Sequence, residues 1–82
     1  MKNKFEIYAD RYKVIGLNVS HYRKIRGITQ MKLAELAGVS LSWITHIENG
    51  AYNVSLYTLF LIADVLDIHW SKLFISPDND TI

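Results

Sequence analysis

The sequence predicts a single all-helical domain, and two observations lead to this prediction. First, apolar residues recur three and four positions apart along most of the chain, which is the spacing that places side chains on one face of a helix. Second, a serine or threonine precedes three such stretches, at Thr29, Ser40 and Ser55, where its side chain can cap a helix N-terminus. The 82 residues are enough for one domain with a modest core.

The predicted helices follow one another through short turns. Helices are expected at about 14–26, 30–37, 41–49, 56–66 and 69–74. Gly38 can adopt the positive φ that ends the second helix abruptly, and Gly27 and Gly50 close the first and third. The residues expected to face the core are Ile15, Val19, Tyr22 and Ile25 in the first helix, Leu33, Leu36, Val39, Ile44 and Ile47 in the second and third with their turn, and Leu56, Leu59, Ile62, Ala63 and Leu66 in the fourth.

The two ends of the chain are interpreted separately from this domain. Residues 1–13 form an N-terminal extension, in which Phe5, Tyr8 and Tyr12 have the spacing of an apolar stripe on a short helix. The helix is the preferred interpretation, with a strand as the alternative because Ile7 and Ala9 alternate with polar neighbours, and the first few residues are expected to be disordered. Residues 76–82 are expected to form a flexible tail.

The predicted third helix has a polar face that is not needed for packing in a small core. Its members lie opposite Ile44 and Ile47 and are Ser42, Thr45, His46 and Asn49. Hydroxyl, imidazole and amide groups on a short helix suit the major groove of DNA, whose base edges present donors, acceptors and methyl groups.

A family resemblance rests on motifs that recur in register between residues 15 and 74. They are Ile15-Gly16, Tyr22-Arg23, Gly27-Ile28-Thr29-Gln30, Leu33-Ala34, Gly38-Val39-Ser40, Ile44, Ile47-Glu48-Asn49-Gly50, the run from Leu59 to Leu66, Ile68 and Leu73-Phe74. In these motifs the chain resembles the helix-turn-helix domain of the lambda repressor and Cro family, also called the xenobiotic-response-element family. The resemblance implies a compact five-helix domain over residues 14–75, in which the second and third helices form the DNA-binding unit.

The resemblance also implies roles for individual residues. The positions from which the family reads bases are occupied by Leu41, Ser42, Thr45 and His46. The positions expected to contact phosphates are those of Gln30, Ser40, Trp43, Asn49 and Arg23. For Trp43 an alternative stays open, in which its ring packs over the fourth helix. Structural support is expected from Gly38, Gly50 and Glu48, with Arg23 pairing with Glu48 to join the first helix to the end of the third.

The third helix departs from the family in one respect. It contains no Arg, Lys or Gln, the side chains that make bidentate contacts with guanine or adenine. Specificity would then depend on thymine methyl groups, water and DNA deformability.

Composition and charge narrow the classes of function. The first 34 residues hold eight Lys or Arg against two Asp or Glu, whereas acidic residues dominate the remainder, so one basic face is expected. The chain has no cysteine, its three histidines are widely spaced, and no apolar run is long enough to span a membrane. We therefore expect a cytoplasmic protein without enzymatic activity, metal, cofactor or small-molecule ligand.

These observations predict a sequence-specific DNA-binding transcriptional regulator that acts as a repressor. A homodimer is expected, because family members use paired half-sites. It would form through the C-terminal aromatic region, Tyr57, Phe60, Trp70 and Phe74, or through the N-terminal extension. The alternative is a protein-interaction module of the same fold, such as an antitoxin or a partner of a larger regulator.

Overall fold

The computed structural model describes residues 3–76 and contains only helices in that range. Four α-helices, α1 (Lys4–Ile25), α2 (Gln30–Ala37), α3 (Leu41–Glu48) and α4 (Leu56–Leu66), are followed by a 3₁₀ helix (Trp70–Leu73). The all-helical prediction is confirmed, and the fifth helix is a single 3₁₀ turn. The expectations for the chain start at Met1 and Lys2 and for the tail from Pro77 lie outside the described residues.

The first helix is much longer than the sequence analysis predicted. It begins at Lys4 rather than near Val14, and the strand considered for this segment is wrong. Asn3 caps the helix by accepting a hydrogen bond from the Glu6 N–H at 2.8 Å. Since neither glycine nor proline interrupts residues 4–14, the apolar spacing of the extension continues directly into that of the domain.

The predicted N-terminal caps of the next three helices are confirmed. Thr29 and Ser40 accept from the backbone N–H three residues later at 3.0 Å, and Ser55 does so at 3.1 Å. At the end of α2, Gly38 has φ 73°, and the N–H of Val39 returns to the Ala34 carbonyl at 3.0 Å. The chain therefore reverses within two residues, and α3 starts immediately against α2.

The core lies where α1, α2, α3, α4 and the 3₁₀ helix meet. Its buried members are Ile15, Val19, Leu33, Ala34, Ala37, Ile44, Ile47, Leu59, Ile62, Ala63, Leu66 and Leu73. Three predicted core residues are exposed instead: Ile25, Leu36 and Leu56. Leu36 points outward because the buried face of α2 is centred on its neighbours Leu33, Ala34 and Ala37. Ile25 and Leu56 occupy helix ends that project beyond the core.

One buried polar residue, which was not predicted, anchors the C-terminal 3₁₀ helix to α1. The Asn18 side chain is only 1% exposed, and its Nδ2 donates to the carbonyl oxygens of Leu73 at 2.9 Å and Ile75 at 2.8 Å. Buried amides are stable in a core when they are hydrogen-bonded in this way. Asn18 thus holds the 3₁₀ helix against α1, where it closes the core.

Candidate nucleic-acid interface

The outer face of α3 is an exposed surface formed mainly by polar side chains. Ser42, His46 and Asn49 are exposed, Thr45 is half-buried, and Leu41 at the start of the helix keeps 41% of its surface accessible. Ile44 and Ile47 on the opposite face are fully or almost fully buried. The predicted division of α3 into a core face and a free polar face is therefore present. The base-reading roles assigned to its residues stay predictions.

A salt bridge at the junction of α1 and α3 supports this surface. The Arg23 Nε donates to Glu48 Oε2 at 2.7 Å and its Nη2 donates to Oε1 at 3.1 Å, a two-pronged contact. Both side chains are largely buried, with 12% and 5% exposed. The predicted pairing of Arg23 with Glu48 is confirmed.

Arg23 also supports the turn before α2. Its Nη1 donates to the Ile28 carbonyl at 2.9 Å, so three of the five guanidinium N–H groups are used inside the protein. The two remaining N–H groups are those with which Arg23 could contact a phosphate. That contact stays a prediction.

Gln30, at the first position of α2, joins the same group of side chains. Its Nε2 donates to Glu48 Oε1 at 2.9 Å, and its Oε1 accepts from the Thr45 hydroxyl at 3.3 Å. Gln30 thus connects α2 to two residues of α3. No spacing in the sequence indicates the Gln30–Thr45 contact, because the contact depends on the angle between the two helices.

Trp43 lies between the core and an open surface groove. The half-buried ring packs against the core cluster. The residue also lines an open groove at the end of α3, together with His46, Asn49 and Tyr52. One side of the indole is therefore structural, and the other borders the surface from which a phosphate contact is predicted.

The loop after α3 is supported by the N-terminal extension, a role that the sequence analysis missed. The rings of Tyr12 and Tyr52 meet edge to face with centroids 5.6 Å apart. Gly50 lies against Lys13, whose Cγ would be 3.1 Å from a Cβ at position 50. The extension of α1 thereby brings a lysine to the C-terminal end of a helix that has no basic residue except a histidine.

Neither a metal site nor a membrane span is found in the described part of the chain. Among residues 3–76, no three His, Asp or Glu side chains are grouped so as to hold a metal ion. None of the helices in the same range combines the length and the hydropathy needed to cross a bilayer.

The chain is similar in sequence to known helix-turn-helix proteins. A family model described as helix-turn-helix matches residues 19–73. The chain is similar to the control protein C.SmaI of Serratia marcescens, with 33% identity over 66 residues, covering 80% of this chain and 79% of that protein. It is 41% identical over 59 residues to the immunity repressor protein of Bacillus phage phi105, covering 72% of this chain but 41% of the repressor.

A solved structure is similar along its entire length. The restriction-modification controller protein C.AhdI from Aeromonas hydrophila superimposes with a TM-score of 0.75 and 36% sequence identity. The match covers 82% of this chain and 100% of the controller protein.

Proposed function

This chain belongs to the helix-turn-helix family of DNA-binding transcriptional regulators, which are not enzymes, and we propose that it is a sequence-specific repressor that inserts α3 into the major groove. The observation that carries the proposal is the exposed face of α3, which is supported on its inner side by part-buried hydrogen bonds from α1 and α2. An α-helix fits the major groove, and a rigid support holds its side chains at fixed positions relative to the bases. Such a regulator would act in the cytoplasm, where DNA is accessible to it.

Within this proposal, the side chains on α3 and around it have two kinds of task. Leu41, Ser42, Thr45 and His46 would read base edges, with Leu41 suited to a thymine methyl group. Gln30, Ser40, Trp43, Asn49 and Arg23 would contact phosphates and fix the register of the helix on DNA. Lys13 joins the second group as an added proposal, because it lies beside Gly50 where the loop after α3 begins.

The proposed repressor is a homodimer, because one short helix contacts too few bases for specific binding. The C-terminal aromatic region supplies a surface for it. Phe60, Trp70 and Phe74 are 42–50% exposed and form a chain of edge-to-face contacts, and Tyr57 is 71% exposed. A groove of about 330 Å³ is lined by Phe74 of this region and by Tyr8 and Tyr12 of the N-terminal extension. The two candidate contact regions of the sequence analysis therefore meet at this groove.

Selection from random duplex DNA tests the DNA-binding proposal. We expect the protein to enrich a roughly palindromic site and to bind it at least ~10³-fold more tightly than random DNA. The variant Ser42→Ala with His46→Ala should lose preference at one or two positions of each half-site while its melting temperature stays unchanged, because both side chains are exposed. Leu36→Ala, on the outer side of α2, is the control. Enrichment of no sequence would contradict the proposal and favour a protein-interaction module.

Sedimentation equilibrium tests the dimer. At micromolar concentration we expect about twice the monomer mass of 9.5 kDa. Tyr57→Ser with Trp70→Ser should raise the dimer Kd about 30-fold or more, since buried aromatic anchors carry much of the affinity of an interface. Met31→Ser removes a side chain of similar exposure from α2 and should not change the Kd. A wild-type protein that stays monomeric would exclude the proposed interface.

A further inference from the structure

The side chains behind α3 form hydrogen bonds whose direction is fixed by Glu48. A carboxylate accepts hydrogen bonds and cannot donate them. Because Gln30 contacts Glu48 Oε1 at 2.9 Å, the group that Gln30 presents there must be its Nε2 amide nitrogen. The carboxamide is planar, so its oxygen points away from Glu48 and faces Thr45, one turn earlier in α3. The assignment of oxygen and nitrogen in Gln30 therefore follows from the chemistry of its partner.

The orientation of Gln30 determines how the Thr45 hydroxyl is used. The Thr45 Oγ1 lies 3.3 Å from Gln30 Oε1 and 3.1 Å from the carbonyl oxygen of Leu41. Both neighbours are oxygen atoms that can only accept, and a hydroxyl has one hydrogen to donate. Whichever of the two receives it, the hydrogen of Thr45 points into the protein. The lone pairs of Oγ1 are what remains for an outside partner.

We propose that Thr45 is a specificity-determining residue that accepts a hydrogen bond from the amino group of adenine or cytosine and discriminates against guanine and thymine on the strand it contacts. In the major groove the adenine N6 and cytosine N4 groups donate, whereas guanine O6 and N7 and thymine O4 accept. An acceptor base opposite Oγ1 would place two acceptors against each other, or would require the hydroxyl to abandon its partners. This inference rests on the proposed insertion of α3 into the major groove.

Ser42 offers an internal comparison on the same helix. The side-chain hydrogen bonds of the described residues include none for Ser42, which is exposed. Its hydroxyl can rotate and either donate or accept, so that position should tolerate all four bases better. Of the two hydroxyl residues on this face, Thr45 is thus the one with a fixed polarity, which is imposed by the Leu41 carbonyl and by the Gln30 oxygen that Glu48 orients.

The test is a binding matrix on the DNA site obtained by selection. Each base pair of a half-site is changed to the other three, and Kd values are measured for the wild type, Thr45→Val and Thr45→Ser. At one position we expect the wild type to prefer adenine or cytosine about tenfold, the factor expected from one neutral hydrogen bond. Thr45→Val, which keeps the shape but lacks the hydroxyl, should lose that preference at this position alone, and Thr45→Ser should keep it.

A second measurement needs only the wild-type protein. Replacing the contacted base by its analogue without the exocyclic amino group should weaken binding about tenfold, as expected for the same single hydrogen bond. A Thr45-dependent preference for guanine or thymine would overturn the inference, and so would a selective wild type whose preferences Thr45→Val leaves unchanged. A wild type that selects no sequence would refute the proposed function together with it, so the two failures are distinguishable.

Discussion

Replacing Glu48 with alanine is expected to lower the free energy of unfolding by about 3–5 kcal/mol, the range for breaking a buried ion pair by removing one partner. The Arg23 side chain, which is 12% exposed in the wild type, would lose its carboxylate partner, and Gln30 would lose the acceptor at 2.9 Å. Both losses fall where α1 and α2 meet the end of α3. For a domain of this size each kcal/mol corresponds to about 4–8 °C in melting temperature, so thermal unfolding followed by circular dichroism will resolve the effect.

The matched control for this prediction is Glu35→Ala. Glu35 also contacts a basic residue, Lys32 at 3.5 Å, but the two side chains are 67% and 51% exposed. Exposed pairs of this kind contribute about 0–1 kcal/mol. If Glu48→Ala proved no more destabilising than Glu35→Ala, the salt bridge could not be the support of α3 that its burial indicates.

A double variant separates stability from DNA recognition. Arg23→Met with Glu48→Leu replaces the ion pair by apolar groups of similar size and leaves no uncompensated charge, so much of the lost stability should return. Gln30 would still lack the acceptor that orients it toward Thr45. We therefore expect the double variant to fold but to discriminate bases less well than the wild type, measured on the same DNA panel.

The features that the sequence predicted well are those that depend on residues only a few positions apart. A cap joins positions three apart, as in Thr29 with Lys32 and Ser40 with Trp43, so local spacing is enough to locate it. The pairing of Arg23 with Glu48 joins residues 25 positions apart and was available only through the family resemblance. The contact of Gln30 with Thr45 depends on how α2 and α3 cross, which no spacing encodes.

Two core predictions that failed, those for Ile25 and Leu56, have the same cause, which is that periodicity carries no information about neighbouring helices. Periodicity shows which side of a helix is apolar but not how far the neighbouring helices extend, and the core ends before Ile25 and Leu56 are reached. A signal for Asn18 was present in the sequence. It lies three residues after Ile15 and four before Tyr22, on the apolar stripe itself, where an amide needs buried partners.

Gly16→Ala is the second substitution for which we expect a large effect, and two opposing contributions decide its sign. Within an isolated helix, alanine is more favourable than glycine by about 1 kcal/mol. In this fold, a Cβ at position 16 would lie 2.5 Å from the carbonyl oxygen of Ile47 and 2.7 Å from that of Glu48. These atoms belong to the backbone of α3 and cannot rotate away, so α1 and α3 would have to separate.

The crowding should outweigh the gain in helix propensity. Overpacking in a well-packed interior costs typically about 1–3 kcal/mol and more where backbone must move, so we expect a net loss of about 2 kcal/mol and a melting temperature lower by about 8–16 °C. Gly27→Ala is the control. The φ of Gly27 is 71°, and a Cβ built there has no atom within 4 Å apart from its chain neighbours, so this variant reports backbone strain without crowding.

The two glycine variants should also differ in DNA binding. Displacing α1 from α3 moves the backbone that carries Glu48, and with it the hydrogen bonds to Gln30 and Thr45, so Gly16→Ala should weaken specific binding even below its melting temperature. Gly27 lies in the turn between α1 and α2, where an added Cβ meets no neighbouring atom, so Gly27→Ala should change specificity less than Gly16→Ala once the protein is folded. A stabilising Gly16→Ala would mean that helix propensity, rather than the close approach of α1 to α3, dominates at this position.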